Sequence, residues 1–300
     1  MEKRYCVLVA CMMAFLCLLF ACQKDDGVMG GEDTRLPIDL SGEIDQVMLS
    51  RVNDGGFCDK DVIGVYIVDY EGGKPGELKL EGNRASNVQF TYNEANNKWS
   101  GAYDIYWKDS KTPIDVYGYY PWNSQESIGE YAFEVQKDQS KAGENGNLGG
   151  YEASDFLWGK AEEVAPSTKV IRLAFRHKMS TARVTLVEGE GFAEGEWTGL
   201  EKQVLVTNTK RKALIDLKTG NVTATGTVAI TGTIPYQKDG EFRAIVVPQE
   251  ISTGTELFKI TVDGVVYTFK KNEAFTYVSS KMHNFTIKVN KKENTGAYEF

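Results

Sequence analysis

The stretch Leu257-Phe258-Lys259-Ile260-Thr261-Val262-Asp263-Gly264-Val265-Val266-Tyr267-Thr268-Phe269 decides the class of fold. Two runs rich in β-branched and aromatic residues flank an Asp-Gly pair. A two-residue type I′ turn needs positive φ at both central positions, so this pair predicts a β-hairpin. The same habit extends outward. His283, Phe285, Ile287 and Val289 alternate on one face, and Ile114, Val116, Gly118 and Tyr120 do so until Pro121 stops them. Asp61 to Tyr70 reads as a strand rich in Val, Ile and Tyr. Val88 to Tyr92 and Trp99 to Ala102 flank a polar loop, Asn93 to Asn97. Few stretches carry helical spacing. Period-two patterning with regular turns predicts an all-β chain built of sandwiches rather than βαβ units.

The chain has 300 residues, 42% hydrophobic and 11% aromatic, enough to bury a sizeable core. Its formal net charge of -8 repels phosphate backbones, so nucleic acid is not an expected partner. Of the five cysteines, Cys6, Cys11, Cys17 and Cys22 lie in or at the end of one N-terminal apolar run, leaving Cys58 alone beyond it. That distribution gives no disulfide framework to the folded part and no Cys/His metal spacing.

The N-terminus reads as an address. Glu2, Lys3 and Arg4 precede an uncharged apolar run from Tyr5 to Ala21. At helical rise this run spans about 25 Å, short for a bilayer core and suited to a signal peptide over 1–21. It ends in Leu19-Phe20-Ala21-Cys22, which resembles a lipobox and makes Cys22 the expected site of a covalent lipid. An uncleaved signal anchor is the rival reading. Two or three acyl chains would hold the protein firmly in a membrane, whereas one binds marginally. Gln23-Lys24-Asp25-Asp26 resembles a signal for display on the outside of an outer membrane, and an ordinary solvated tether would look similar.

Residues 22–35 are Gly- and Asp-rich and form the expected tether. Two tandem domains are expected beyond it, 36–165 and 166–291, with the boundary near Pro166 and a tail at 292–300. Lys137 to Gly150, rich in Gly, Asn and Lys, is the clearest break in strand pattern.

Candidate chemistry is sparse. His177 continues the alternation Ile171, Leu173, Phe175, and His283 opens the alternation Phe285, Ile287, Val289. Both are in phase with an expected core face, which favours structural over catalytic histidines. No Gly-x-Ser-x-Gly elbow, HExxH or P-loop is present. No two carboxylates stand out as a glycosidase pair. Asp25, Asp26, Glu32 and Asp33 lack EF-hand spacing, so no metal site is expected. Trp99, Trp107, Trp122 and Trp158 could form a sugar-stacking platform, with core packing as the favoured alternative. Cys58 has no nearby cationic cluster in sequence to make it a thiolate. The sequons at Asn221 and Asn284 are read as coincidence. No enzymatic activity and no dissociable cofactor are expected.

Several segments in order resemble the fimbrillin-like family, the type V pilus subunits. They are Asp61 to Tyr66; Ile105 to Trp107 followed by Asp115 to Pro121; Asp155 to Gly159 leading to Val170–His177; and Val247 to Gln249 before the final hairpin and Tyr277 to Val289. The resemblance implies two tandem transthyretin-like β-sandwich domains, lipoprotein export, and a place in the outer membrane, cell surface or pilus. It also implies a protease that cuts after an arginine and removes the first strand, leaving a groove for a strand of the next subunit. Arg35, before Leu36-Pro37, and Arg51, after Val47-Met48-Leu49-Ser50, are the two candidates. The partners implied are other pilus subunits or further copies, and a host or glycan receptor. The polar tail is a weak donor strand despite Ala297, Tyr298 and Phe300, so a major, tip or anchor role stays open. The alternative is a lipid-anchored glycan-binding module that does not polymerise.

Overall fold

The computed structural model describes residues 35–45, 56–124, 126–144, 147–229 and 231–291. In chain order, the strands of the first half are β1 (Leu40–Ile44), β2 (Val62–Glu71), β3 (Lys74–Pro75), β4 (Ala85–Asn93), β5 (Lys98–Gly101), β6 (Ile114–Tyr120), β7 (Tyr131–Glu134), β8 (Leu157–Val164) and β9 (Ile171–His177). The second half adds β10 (Ser180–Glu188), β11 (Lys202–Val206), β12 (Thr209–Asp216), β13 (Asn221–Ala229), β14 (Tyr236–Lys238), β15 (Glu241–Val246), β16 (Gln249–Ile251), β17 (Glu256–Val262), β18 (Val265–Lys270), β19 (Phe275–Tyr277) and β20 (Met282–Val289). The all-β sandwich class expected from the sequence is the one observed. The Asp263-Gly264 turn has φ of 47° and 78°, as a type I′ hairpin requires.

The first sheet runs β1-β9-β8-β6-β2-β4-β5, with β3 paired to β2 at one end. Both of its faces are covered. On one face Ile63, Val65, Ile67, Val116, Leu157 and Leu173 form a core. On the other, Tyr66, Tyr117 and Tyr119 meet Tyr131, Phe133, Ile215 and Leu217, contributed largely by a second sheet, β13-β12-β7. All seven residues of β6 are buried as a result. A strand covered on both faces loses its polar alternation, which is why Tyr117 and Tyr119 can sit where a one-faced sheet would carry polar side chains.

A third core fills the sandwich of sheet β14-β15-β10-β20 with sheet β11-β17-β18. Val184, Leu186, Phe285 and Ile287 belong to it together with Val204, Val206, Phe258 and Ile260. Strand β15 serves two cores at once, since Phe242, Ala244 and Val246 belong to this one and Ile245 to the tyrosine-rich one.

The sequence puts the expected domain boundary near Pro166. Pro166 lies in the connection between β8 and β9, which are an antiparallel pair, and β9 completes the first sheet. The chain leaves that sheet only after His177. The described residues from Leu36 onward belong to one compact unit. Strand β7 departs from the first half to pair with β12, Lys212 opposite Glu134 through Ile215 opposite Tyr131.

The Gly- and Asn-rich stretch after β7 carries a buried polar side chain, Gln139. Gln139 is fully buried, its Nε2 donating to the Ile245 carbonyl and its Oε1 accepting from the Ile245 amide, both at 2.8 Å. Strand β14 pairs with β15 only as far as Arg243. Gln139 therefore takes up backbone groups of β15 just beyond the point where its partner strand ends.

Candidate functional site

Residues 36–45 run along one edge of the first sheet. The segment is held on two sides. Ile38 donates its amide to the Ile105 carbonyl at 2.8 Å, and the Trp107 amide donates to the Leu36 carbonyl at 2.9 Å. The segment then turns parallel to β9, with Leu40 opposite Ile171 through Ile44 opposite Phe175. The Ile171 amide donates to the Asp39 carbonyl and the Asp45 amide to the Phe175 carbonyl, each at 2.8 Å. Among the described residues, strand β1 is the outermost strand on its side of the sheet.

Alternation sets which side chains the groove holds. Ile38 and Leu40 are 6% and 5% exposed and belong to the first core, while Leu36 and Ile44 pack against it partly buried. Asp39 and Glu43, out of phase, are exposed. Glu43 and Asp45 reach Arg172 and Arg176 at 3.8 and 3.4 Å across the surface. Exposed pairs of this kind contribute about 0–1 kcal/mol and are screened by salt, so the aliphatic residues supply most of the hold.

Phe175 forms the floor where Gly42 passes. It is fully buried, edge-on to Phe57 with ring centroids 5.4 Å apart, and Phe57 is in turn edge-on to Trp99 at 4.8 Å.

Of the two arginines read as processing sites, Arg35 is exposed and stands immediately before Leu36. Arg51 and Cys22 lie outside the described residues. The tail 292–300 also lies outside them.

The histidines sit where their phase predicts. His177 is 4% exposed with Nδ1 2.9 Å from Oδ1 of buried Asp155, and the Ser280 hydroxyl donates to its carbonyl. His283 is half-buried. Its Nε2 accepts from the Val278 amide at 3.1 Å, and its ring stands edge-on to Phe275 and Tyr277. Burial is the main influence lowering its pKa, assisted by Lys281 and Lys271.

The four tryptophans pack inward rather than forming a platform. Trp107 is 4% exposed, and Trp99 packs against the same core. Trp122 and Trp158 pack against the tyrosine-rich core and donate to the carbonyls of Asn87 at 3.2 Å and Leu217 at 2.8 Å. Cys58 is half-buried, and its amide donates to Oδ2 of Asp61, whose Oδ1 accepts from Tyr120. Among the described residues no group of His, Cys, Asp or Glu is arranged to hold a metal ion, and no helix is long and apolar enough to cross a membrane.

Sequence reasoning missed Asp115, a 1% exposed carboxylate 3.0 Å from Lys160 and 2.9 Å from the Glu163 amide. Nothing in its local sequence distinguishes it from a surface residue. The double coverage of β6 puts it inside.

A family described as fimbrillin-like matches residues 50–298. The solved structure of a candidate cell adhesion protein from Bacteroides uniformis is similar with a TM-score of 0.59 at 18% identity, covering 86% of this chain and 94% of that one. A second candidate cell adhesion protein, from Bacteroides ovatus, gives 0.59 at 15% identity over 85% and 93%. The tip fimbrial protein Mfa3 from Porphyromonas gingivalis gives 0.50 at 9% identity over 86% and 95%. At these identities the likeness is one of fold. A search of the curated proteins finds no match.

Proposed function

The chain belongs to the fimbrillin-like family, and on that premise we propose that it is a structural subunit of a cell-surface fimbria, joined to its neighbours by exchange of the strand in the β1 groove. The observation that carries this reading is the position of β1. It is an edge strand close to the N-terminus, and Leu40 and the preceding Ile38 supply side chains to the first core. Removing Ile38 and Leu40 would uncover apolar surface worth about 3–6 kcal/mol and leave β9 as an open edge. A neighbour's strand would repair both losses through backbone hydrogen bonds and alternating side chains.

The order of residues separates the two candidate cuts. Cleavage after Arg35 leaves β1 attached and seated. Cleavage after Arg51 detaches it, because Leu40–Ile44 lies upstream of Arg51. Arg51 is therefore the productive site, and the uncut protein is the closed precursor. Before cutting, a lipid on Cys22 would tether the chain to the outer membrane. The role is structural and adhesive rather than catalytic, and its partners are other fimbrial subunits or further copies of the chain.

The test is to treat purified mature protein with a trypsin-like protease, identify the new N-terminus by mass spectrometry, and follow size by light scattering. A start at Val52 accompanied by growth of oligomers supports the reading. Clean cleavage after Arg51 with a monomer that keeps residues 36–45 bound and never exchanges them would reject it.

A further inference from the structure

We propose that the groove selects the strand it holds through an aromatic gate, formed by Phe57, Trp99 and Phe175, that admits glycine and excludes larger side chains. The proposal rests on the strand-exchange reading above and adds a rule for which strands can enter. Gly42 lies on β1 directly opposite Leu173. A Cβ built at Gly42 would stand 3.0 Å from Cε2 of Phe175, and 3.4 Å from both Phe57 Cε2 and Trp99 Cε2. Three rings thus close on one backbone position.

The gate is also braced from behind. A Cβ built at Gly118 on β6 would stand 2.7 Å from Cζ of Phe175, 3.0 Å from its Cε1 and 3.0 Å from Leu173 Cδ1. Gly42 approaches the Cε2 side of the ring and Gly118 the Cζ and Cε1 side. The fully buried Phe175 is clasped between two backbones, so it cannot retreat from a side chain at position 42 without pressing on β6. Phe57 and Trp99 are locked to each other edge-on. Close-packed interiors resist such displacement.

The resulting code has period two. It reads aliphatic at the Ile38 and Leu40 steps, glycine at the Gly42 step, and apolar at the half-buried Ile44 step. The steps between are exposed or half-buried and accept polar residues. The partner this fits is an extended segment carrying apolar-x-apolar-x-glycine-x-apolar. A continuously apolar strand would match the edge in backbone hydrogen bonds yet jam at the third step. Register is fixed in the same way, since a two-residue slip would bring an aliphatic side chain to the gate.

The experiment uses the full chain with a site-specific protease sequence replacing residues 46–50, nicked so that residues 36–45 stay seated. Fluorescein-labelled peptides of residues 36–45 are then offered, and uptake is followed by anisotropy and by the mass of the displaced segment. The native peptide should exchange in, the Gly42→Leu peptide should bind about tenfold or more weakly, and a Glu43→Leu peptide should bind within about threefold of native. Equal binding of the Gly42→Leu and native peptides overturns the gate. Failure of the native peptide to exchange at all counts against strand exchange instead. The gate is then decided on the uncut chain: Gly42→Leu should lower hydrogen-exchange protection at Ile171–Phe175 while Glu43→Leu leaves it unchanged. Equal protection in those two variants overturns the gate independently of exchange.

Discussion

Replacing Gln139 should destabilise a strand far from it in sequence. Its amide caps both backbone groups of Ile245, a residue 1% exposed, in a position where β14 no longer covers the edge of β15. In Gln139→Ala, one buried N–H and one buried C=O lose their partner. Each such group costs about 1–3 kcal/mol, giving a loss of about 2–6 kcal/mol. Urea unfolding followed by tryptophan fluorescence should show the midpoint falling without a change in slope. Gln139→Glu sharpens the test. The carboxylate still accepts from the Ile245 amide, but it faces the Ile245 carbonyl with no proton to donate. That contact and burial raise its folded-state pKa, so its stabilising contribution is complete below the unfolded value of about 4.3 and is lost as pH rises. The Glu variant should therefore be worse than native at pH 7.5 and recover as pH falls toward 5. A loss under about 0.5 kcal/mol in the alanine variant, or no pH-dependent recovery in the glutamate variant, would refute the capping role.

Leu40→Ala should cost about 2–5 kcal/mol by emptying a core position, with hydrogen exchange rising first at Ile171–Phe175, while Asp39→Ala on the exposed phase should stay within about 0.5 kcal/mol; equal effects would contradict the inward and outward assignment. Lys160→Met should cost about 3 kcal/mol because Asp115 keeps its Glu163 amide but loses its cation, and adding Asp115→Asn should restore much of that loss in the same denaturation assay. His283 is neutral in the fold and accepts a hydrogen bond from Val278, which an imidazolium cannot do. Its depressed folded-state pKa means that its contribution is full above about 6.5 and is lost as pH falls from there through the lower folded-state value, so hydrogen exchange near Val278, corrected for its intrinsic rate, should rise on acidification in the native chain and not in His283→Gln.

Strands and turns were readable wherever the side chains alternate and the turn residues are specialised. The hairpin around Asp263-Gly264, the polar loop between β4 and β5, and the final run from His283 all stand where the sequence puts them. Partner choice was not readable. Alternation tells which face a side chain takes, and nothing about which strand lies beside it. Hence the parallel pairs of β1 with β9 and β10 with β20, and the departure of β7 to β12, are absent from any local pattern. Proline and polar residues, as around Pro166 between the paired strands β8 and β9, mark a turn within a sheet as readily as a gap between domains. At the candidate site, the removable strand read from the sequence, Val47–Ser50 before Arg51, lies outside the described residues. The first strand described is Leu40–Ile44, where glycine and acidic residues dilute the apolar signal. The reason for a glycine at position 42 is visible only with three rings around it.

The pairing of Leu40 with Ile171 has a consequence in time. A chain made from its N-terminus presents β1 long before β9 exists, and closing so long a loop costs about 4 kcal/mol of chain entropy. Strands β2 to β6 and β8 can assemble among themselves while that debt is outstanding. On that estimate the opening segment of the fold is expected late, laid onto a sheet already standing. An architecture completed in that order would contain, in its own folding, the intermediate that the proposed exchange needs an incoming neighbour to meet.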